Sequence, residues 1–433
     1  MAPVLDTRIA TLGPATFHSP IAFNNRSGDS ISNFVSDATR VRYQVEIPPK
    51  TPSDDETFFE KAGPRENIFF NPARTRAAIV TCGGLCPGLN NVIRSAFLEL
   101  HHNYGVREIL GIRYGYRGLS FDALPPVVLT PSSVDHIHRS GGSVISSARG
   151  NPPTSEMVDF LVNRGIDILI CVGGDGTQRG AHDIAREIAD RSLPIAVVGV
   201  PKTIDNDILY VRQTFGYYSA IESARGILDG AHCEAKGAPN GIGLVKLMGR
   251  DSGFIAAGAT IASQEVNFCL IPEIPIRLDG PKGFLAALHR RITERHHAVV
   301  VVAEGAGQDL LGLSTEATLS NAKKGDIGLF LRQKICEYFA SRSTDINLKY
   351  IDPSYIIRSV PANSQDARVC DYYARHAVHA AMAGKTDLII GDWHGVYVHV
   401  PIAAATSSRK KVDPEGSLWT SVIAATGQPH TWE

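Results

Sequence analysis

Short runs of Val, Ile, Leu and Ala recur along most of this chain, with segments of helical periodicity between several of them. The first run is 76–82, RAAIVTC. Others occupy 166–172 (IDILICV), 194–200 (PIAVVGV), 241–247 (GIGLVKL), 268–271 (FCLI), 298–304 (AVVVVAE) and 387–391 (DLIIG). Each is short, bounded by turn residues and rich in branched side chains, and so predicts a strand. After 76–82 a Gly-rich turn leads to a helix near Asn90, with Val92, Ile93, Ala96, Phe97 and Leu100 on one face. After 166–172 the turn GGDGT leads to a second helix from about Gln178. Strands of this kind alternating with helices predict an α/β fold with parallel sheets covered on both faces. Such sheets bind ligands beyond the carboxyl ends of their strands. The polar residues that follow each run are therefore the candidates for chemistry.

Residues 1–72 lack this periodicity and are rich in Pro, Ser, Asn and Asp, as in PPKTPSDDE at 48–56. They predict an extension with some flexible loop, lying on the main body or on a neighbour and dispensable for the fold of the rest.

At 433 residues the chain is long enough for two or three domains. Its 43% apolar and 20% charged residues are those of a globular protein. A formal charge of −1 gives no ground for nucleic-acid or acidic-membrane binding. Seven scattered cysteines without a framework spacing suggest a reducing compartment. Cys82 and Cys86 form a CxxxC, but no second pair completes a zinc site, so burial in tight turns explains them better. No apolar run is long enough to span a bilayer, and the N-terminus lacks the pattern of a secretion signal. A cytoplasmic location is the expectation.

Seven segments carry candidate chemistry. In TCGGLCPGLNNVIR (81–94), Gly83, Gly84 and Gly88 let backbone approach a ligand, and the helix start behind them offers N–H groups to phosphate. A plain tight turn explains this block about equally well. In VGGDGTQRG (172–180), Gly174, Gly176 and Thr177 surround Asp175, which could hold Mg²⁺ through water while the glycines leave room for polyphosphate. A Gly-Asp turn with Asp175 capping the helix is the plainer alternative. PKTIDND (201–207) places Lys202, Thr203, Asp205 and Asp207 just beyond a buried strand. One carboxylate can take a proton from an attacking hydroxyl and the other can orient it, while Lys202 neutralises phosphate. An Asx-turn accounts for one Asp but not for the whole cluster. KLMGRDSGFIA (246–256) projects Arg250 after a turn at Gly249, with Ser252 positioned to cap the next helix. SSARG (146–150), VVAEG, where Glu304 ends a strand, and YIDPSYIIR (350–358) add Arg149, Glu304, Tyr355 and Arg358, each weak alone.

In this order, these blocks resemble the 6-phosphofructokinases over about 76–410, most closely the long ATP-dependent forms of plants and trypanosomatids. The resemblance implies two parallel-sheet, Rossmann-like α/β domains with the active site in the cleft between them, plus the N-terminal extension. It implies a donor domain of 73–216 with about 357–405, and a sugar-phosphate domain of 217–356 with about 406–433. It implies a glycolytic kinase moving the γ-phosphoryl of ATP to the 1-hydroxyl of fructose 6-phosphate, with Mg²⁺, allosteric control and a homotetramer. By resemblance Asp205 is the base, assisted by Asp207 and Thr203, and Asp175 orders the metal. Gly83 and Gly84, Arg149, the Gly174–Thr177 turn and Lys202 face the donor, and Arg250 lies near the transferring group. Met248, Gly249 and Glu304 line the sugar site, and Lys349, Tyr355 and Arg358 hold the 6-phosphate.

Three positions depart from or divide the family. Gly241 stands where short bacterial forms carry an Arg that reaches a neighbour's sugar phosphate, and Lys349 where they carry Arg. Pyrophosphate-dependent relatives carry Asp at the position of Gly176 and Lys at that of Lys202, so this chain holds one marker of each kind. A pyrophosphate-dependent enzyme is therefore the alternative on the same fold. A kinase of NAD or of lipid would explain GGDGT but not PKTIDND. A non-catalytic regulatory subunit would have lost a base or a metal acid, and Asp175, Asp205 and Asp207 are all present.

Overall fold

The computed structural model describes residues 5–46, 57–312 and 325–432; the polar run 48–56 lies outside the described residues. The chain forms two compact units. One comprises Met1–Thr203, Ile208–Gly216 and Ser359–Arg409, and the other Ile204–Asp207, Tyr217–Arg358 and Lys410–Glu433. The polar run after the third predicted strand is thus divided. Lys202 and Thr203 belong to the first unit, Asp205 and Asp207 to the second.

The first unit is built on a nine-stranded sheet. Its order is Arg40–Arg42, Phe58–Lys61, Val396–Pro401, Leu388–Trp393, Ala196–Pro201, Ile168–Gly173, Arg76–Thr81, Glu108–Ile112 and Val127–Val128. The five strands from Leu388–Trp393 to Glu108–Ile112 are parallel. Ile168–Gly173 and Ala196–Pro201 are buried along their whole length, which their unbroken apolar sequence requires of strands covered on both faces. Helix Leu89–Leu98 buries Leu89, Val92, Ile93, Ala96 and Phe97 and packs on helix Ser364–Met382. Its start is one residue before the expected Asn90. Helix Asp175–Asp190 begins three residues before the expected Gln178 and buries Thr177, Gln178, Ala181, Ile184, Ala185 and Ile188 at helical spacing.

The N-terminal segment does more than lie on this body. Phe58–Lys61 pairs antiparallel with Val396–Pro401, and Arg40–Arg42 extends the same sheet. Beneath these strands Arg65, 3% exposed, bonds Asp37 and Glu60, each at 2.8 Å. Lys385 reaches the same two acids at 2.9 and 2.8 Å, and His399 Nδ1 lies 3.0 Å from Glu60. Burial opposes the charge on Glu60, yet the hydrogen bonds and charges of His399 and Lys385 hold its carboxyl well below the usual carboxylate range. Tyr43 stacks on Trp393 and accepts its indole N–H at 2.9 Å through the backbone oxygen. Against the expectation that the body folds without residues 1–72, these residues supply Asp37, Glu60 and Arg65 to an ion cluster completed by the buried Lys385 and His399 of the body.

The second unit carries a four-stranded parallel sheet ordered Phe268–Leu270, His297–Ala303, Gly241–Leu247 and Asn347–Ile351. His297–Ala303 buries every residue but its first. Helix Tyr217–Gly237 packs on helix Phe254–Ser263 and on the sheet. Gly241, where a short form would present Arg, has no room for one: a Cβ there would lie 2.0 Å from the Ala235 carbonyl oxygen. No helix among the described residues is long and apolar enough to cross a membrane.

Candidate active site

In the first unit, register brings three of the polar blocks to one edge. Thr81 stands beside Val172, and Gly173 beside Pro201, so the turns after Arg76–Thr81, Ile168–Gly173 and Ala196–Pro201 emerge side by side. Backbone hydrogen bonds carry this beyond the strands: Cys82 N donates to Val172 O at 2.9 Å and Lys202 N to Gly173 O at 3.0 Å. Gly83 takes φ +87, a conformation that favours glycine, and a Cβ there would lie 3.3 Å from Lys202 Nζ. That ammonium instead donates to Gly84 O at 2.7 Å, so Lys202 lies across the first Gly-rich turn.

The loop bearing Arg149 is fastened to the same turn. Gly83 N donates to Ala148 O at 2.9 Å, Ser147 Oγ to Gly83 O at 2.8 Å, and Thr81 Oγ1 to Ser146 O at 2.7 Å. Arg149 itself is exposed. Asp175 opens its helix rather than capping it; Gly174 is the cap residue, and no side chain caps that end. The Asp175 carboxylate takes ion pairs from Arg179 at 3.1 Å and Arg409 at 3.6 Å. Gly176 is exposed, and a Cβ on it would meet nothing within 4 Å. Thr177, by contrast, is buried and its carbonyl accepts the Tyr116 hydroxyl at 2.7 Å.

A residue that sequence reasoning passed over holds this edge together. Gln178 is fully buried, and its Nε2 donates to Gly173 O at 2.9 Å and to Val200 O at 3.2 Å. It clamps the ends of two neighbouring strands and so sets the spacing of the turns they carry. A Cβ on Gly199 would come within 2.0 Å of its Oε1. The available signal was a polar side chain on the buried face of a helix just after GGDGT.

In the second unit, Leu247 stands beside Ala303. The turn Met248–Arg250 and Glu304 therefore share one carboxyl edge, locked by Glu304 N to Leu247 O at 2.9 Å and Gly305 N to Gly249 O at 3.0 Å. Gly249 takes φ +130, and its Cβ would lie 2.7 Å from Ser252 O. Ser252 does not cap the following helix; Gly253 is the cap residue, and Ser252 Oγ donates to Asp205 O at 3.0 Å. That bond ties PKTIDND to KLMGRDSG. Asn206, between the two acids, takes φ +53, so the segment turns rather than extends. Burial pushes the Asp205 carboxyl well above the usual carboxylate range, reinforced by the charges of Asp207 and Glu304 and opposed by the backbone N–H of Arg250. Asp207, Glu304, Asp251 and the backbone of Arg250 thus all act on Asp205 at this edge.

Arg358 lays its guanidinium over the Tyr355 ring, 4.6 Å from the centroid, and the ring is 68% exposed. Lys349 is not brought to the same level. It pairs with Gly243, four residues before Leu247, or ~13 Å back along the strand, and it is exposed on an edge strand.

The phosphofructokinase family model matches residues 76–381. A protein of Borreliella burgdorferi named ATP-dependent 6-phosphofructokinase is 46% identical over 98% of this chain and 97% of its own length. The chain belongs to the phosphofructokinase family. Phosphofructokinases of the same printed name include one from Amycolatopsis methanolica, 44% identical over 98% of this chain and 95% of its own. Another, ATP-dependent 6-phosphofructokinase 1 of Arabidopsis thaliana, is 43% identical over 96% and 88%. Among solved structures, the pyrophosphate-dependent phosphofructokinase of Marinobacter aquaeolei superposes with a TM-score of 0.68 at 18% identity, covering 83% of this chain and 93% of that one. The Pichia pastoris phosphofructokinase gives 0.66 at 22%, covering 82% and 37%. At these identities the structural likeness speaks for the fold, two Rossmann-like α/β domains.

Proposed function

We propose that this phosphofructokinase transfers the γ-phosphoryl group of ATP to the 1-hydroxyl of fructose 6-phosphate. The observation that carries the reading is the acid cluster at the second sheet's edge, where Asp205 is made more basic than a free carboxylate. A carboxylate of raised pKa is suited to accept a hydroxyl proton near neutral pH. The near full-length likeness to relatives named ATP-dependent supports the donor.

In this reading Asp205 takes the proton as the 1-oxygen attacks, with Asp207 and Thr203 orienting that hydroxyl. Lys202, the Gly83–Gly84 backbone, Arg149 and the Gly174–Thr177 turn receive the donor phosphates, and Arg250 stabilises charge on the group in transfer. Phosphoryl transfer asks mainly for such alignment and charge stabilisation. Met248, Gly249 and Glu304 hold the sugar. Tyr355 and Arg358 hold its 6-phosphate, with Lys349 assigned by resemblance alone. Asp175 would hold Mg²⁺. A single carboxylate beside a phosphate-receiving turn fits a cation that is bound through one or two carboxylates, waters and substrate phosphates. When bound, the ion neutralises donor oxygens. Tetrameric assembly and allosteric control belong to the same proposal.

The second reading, pyrophosphate as donor, rests on Lys202. The open space at Gly176 favours ATP, since nothing within 4 Å of a Cβ there closes the donor turn. A coupled assay of the purified protein with fructose 6-phosphate, Mg²⁺ and either donor at saturation tests this. Faster turnover with ATP is expected; faster turnover with pyrophosphate would overturn the donor assignment.

A further inference from the structure

Lys246 is the residue of the KLMGR block to which the catalytic reading gives no role. It lies on strand Gly241–Leu247, two residues before Met248, and its side chain is 13% exposed. Its Nζ sits between two carboxylates, 2.8 Å from Asp326 and 2.8 Å from Asp352. Each acid is committed to a different element. Asp326 caps helix Ile327–Ala340, accepting Leu329 N at 3.1 Å, and it also accepts the Tyr350 hydroxyl at 3.2 Å. Asp352 opens the turn after strand Asn347–Ile351. It accepts Ser354 N at 3.1 Å and the Ser354 hydroxyl, and so shapes the turn in which Ser354 takes φ +32. Tyr355 and Arg358 follow directly. Burial opposes the charge on Lys246, but its bonds to Asp326 and Asp352 raise its pKa above the ordinary lysine value, so it stays an ammonium across the working pH range.

The elements meeting at this ammonium are the strand that delivers Met248–Arg250 and the turn that delivers Tyr355 and Arg358. We propose that Lys246 is a positioning residue for sugar-phosphate binding: it acts through Asp352 to hold the Tyr355–Arg358 turn in register with the Met248–Arg250 edge. Without it, Asp326 and Asp352 face each other as like charges, and because Asp326 is tied to its helix the repulsion displaces Asp352 together with the turn it shapes through Ser354. The inference rests on the proposed role of Arg358.

Lys246→Met should raise KM for fructose 6-phosphate about tenfold, the loss of one charge-assisted bond at the phosphate, while KM for ATP and kcat change little. Lys246→Arg should recover part of that loss. Asp352→Asn, which leaves the Lys246–Asp326 pair in place, should move KM the same way and guards against a Lys246 variant that fails to fold. The discriminating measurement is the double variant Lys246→Met with Arg358→Ala. If Lys246 acts through the Arg358 turn, its KM equals that of Arg358→Ala alone. Multiplying KM effects, or a lowered Tm with KM unchanged in both Lys246→Met and Asp352→Asn, would overturn the proposal. An Arg358→Ala protein with unchanged KM, or a wild type without fructose 6-phosphate turnover, would instead overturn the site reading beneath it.

Discussion

In the proposed reading, Asp205 is costly to the fold and useful to the reaction. Its pKa is raised by burial and by Asp207 and Glu304, so the folded protein favours the neutral acid. That preference is harmless below the pKa of the unfolded carboxyl and becomes a cost as pH rises through the folded value. Asp205→Asn should therefore raise Tm at pH 8 and leave it unchanged near pH 3, while lowering turnover about 10²–10⁴-fold, the usual range for a lost general base. Near-normal turnover in the variant, or a Tm gain largest in acid, would refute the assignment. The acid limb of wild-type kcat/KM should likewise fall above the ordinary carboxylate range. Gly176 poses the reverse case, a residue chosen for what it leaves empty. Asp at that position adds a negative charge in the first turn of helix Asp175–Asp190, where acids favour the helix, so Gly176→Asp should fold normally. Its charge would face the donor phosphates at a cost of about 1–4 kcal/mol. Steady-state kinetics should show ATP turnover depressed with KM for fructose 6-phosphate held; equal loss for both substrates would count against a donor role for this turn.

Among the elements, the N-terminal strands are those whose importance the chain hides. Arg40–Arg42 and Phe58–Lys61 are short and half of their residues or more are charged, so their own pattern promises little. Arg40–Arg42 pairs with Phe58–Lys61, whose own further partners, Val396–Pro401 in the sheet and Lys385 at Glu60, lie over 300 residues away. Removing residues 1–72 would leave Lys385, 5% exposed, and the fully buried His399 without Glu60. Breaking a buried ion cluster from one side costs about 3–5 kcal/mol. The truncated protein should fail to fold or lose a large part of its Tm. Glu60→Gln should show the same loss in milder form. The folded pKa of Glu60 is depressed, so its contribution is present above the unfolded carboxyl value and fades as pH falls through the folded one. A truncation with native Tm would show the cluster to be dispensable.

For the whole molecule, the buried parallel strands were legible because covering both faces demands an unbroken apolar run, and that demand is written locally. Ile168–Gly173, Ala196–Pro201, Gly241–Leu247 and His297–Ala303 all fall within a residue or two of the runs that predicted them. Glu108–Ile112, Asn347–Ile351 and Val396–Pro401 were not read. The last two pair at margins or are half exposed, where alternation is diluted. Glu108–Ile112 is broken by Gly111, which is needed because a Cβ there would lie 2.4 Å from Ile145. The site followed the same division. Residue types and their position after strands sufficed to propose Asp175, Lys202, Asp205, Arg250 and Glu304 as candidates, and the structure sets each at or just past a strand end, where a parallel sheet exposes polar backbone and side chains. Lys246, Gln178 and the Glu60 cluster were invisible for the opposite reason. Their roles are pairings between residues far apart in the chain, and a lysine, a glutamine or a glutamate carries no local mark of the partner it will meet. Which chemistry the chain holds was decided by its sequence; which charges are buried, and which side chains keep the turns in register, only the tertiary structure decided, because burial and long-range pairing are properties of neighbours in space.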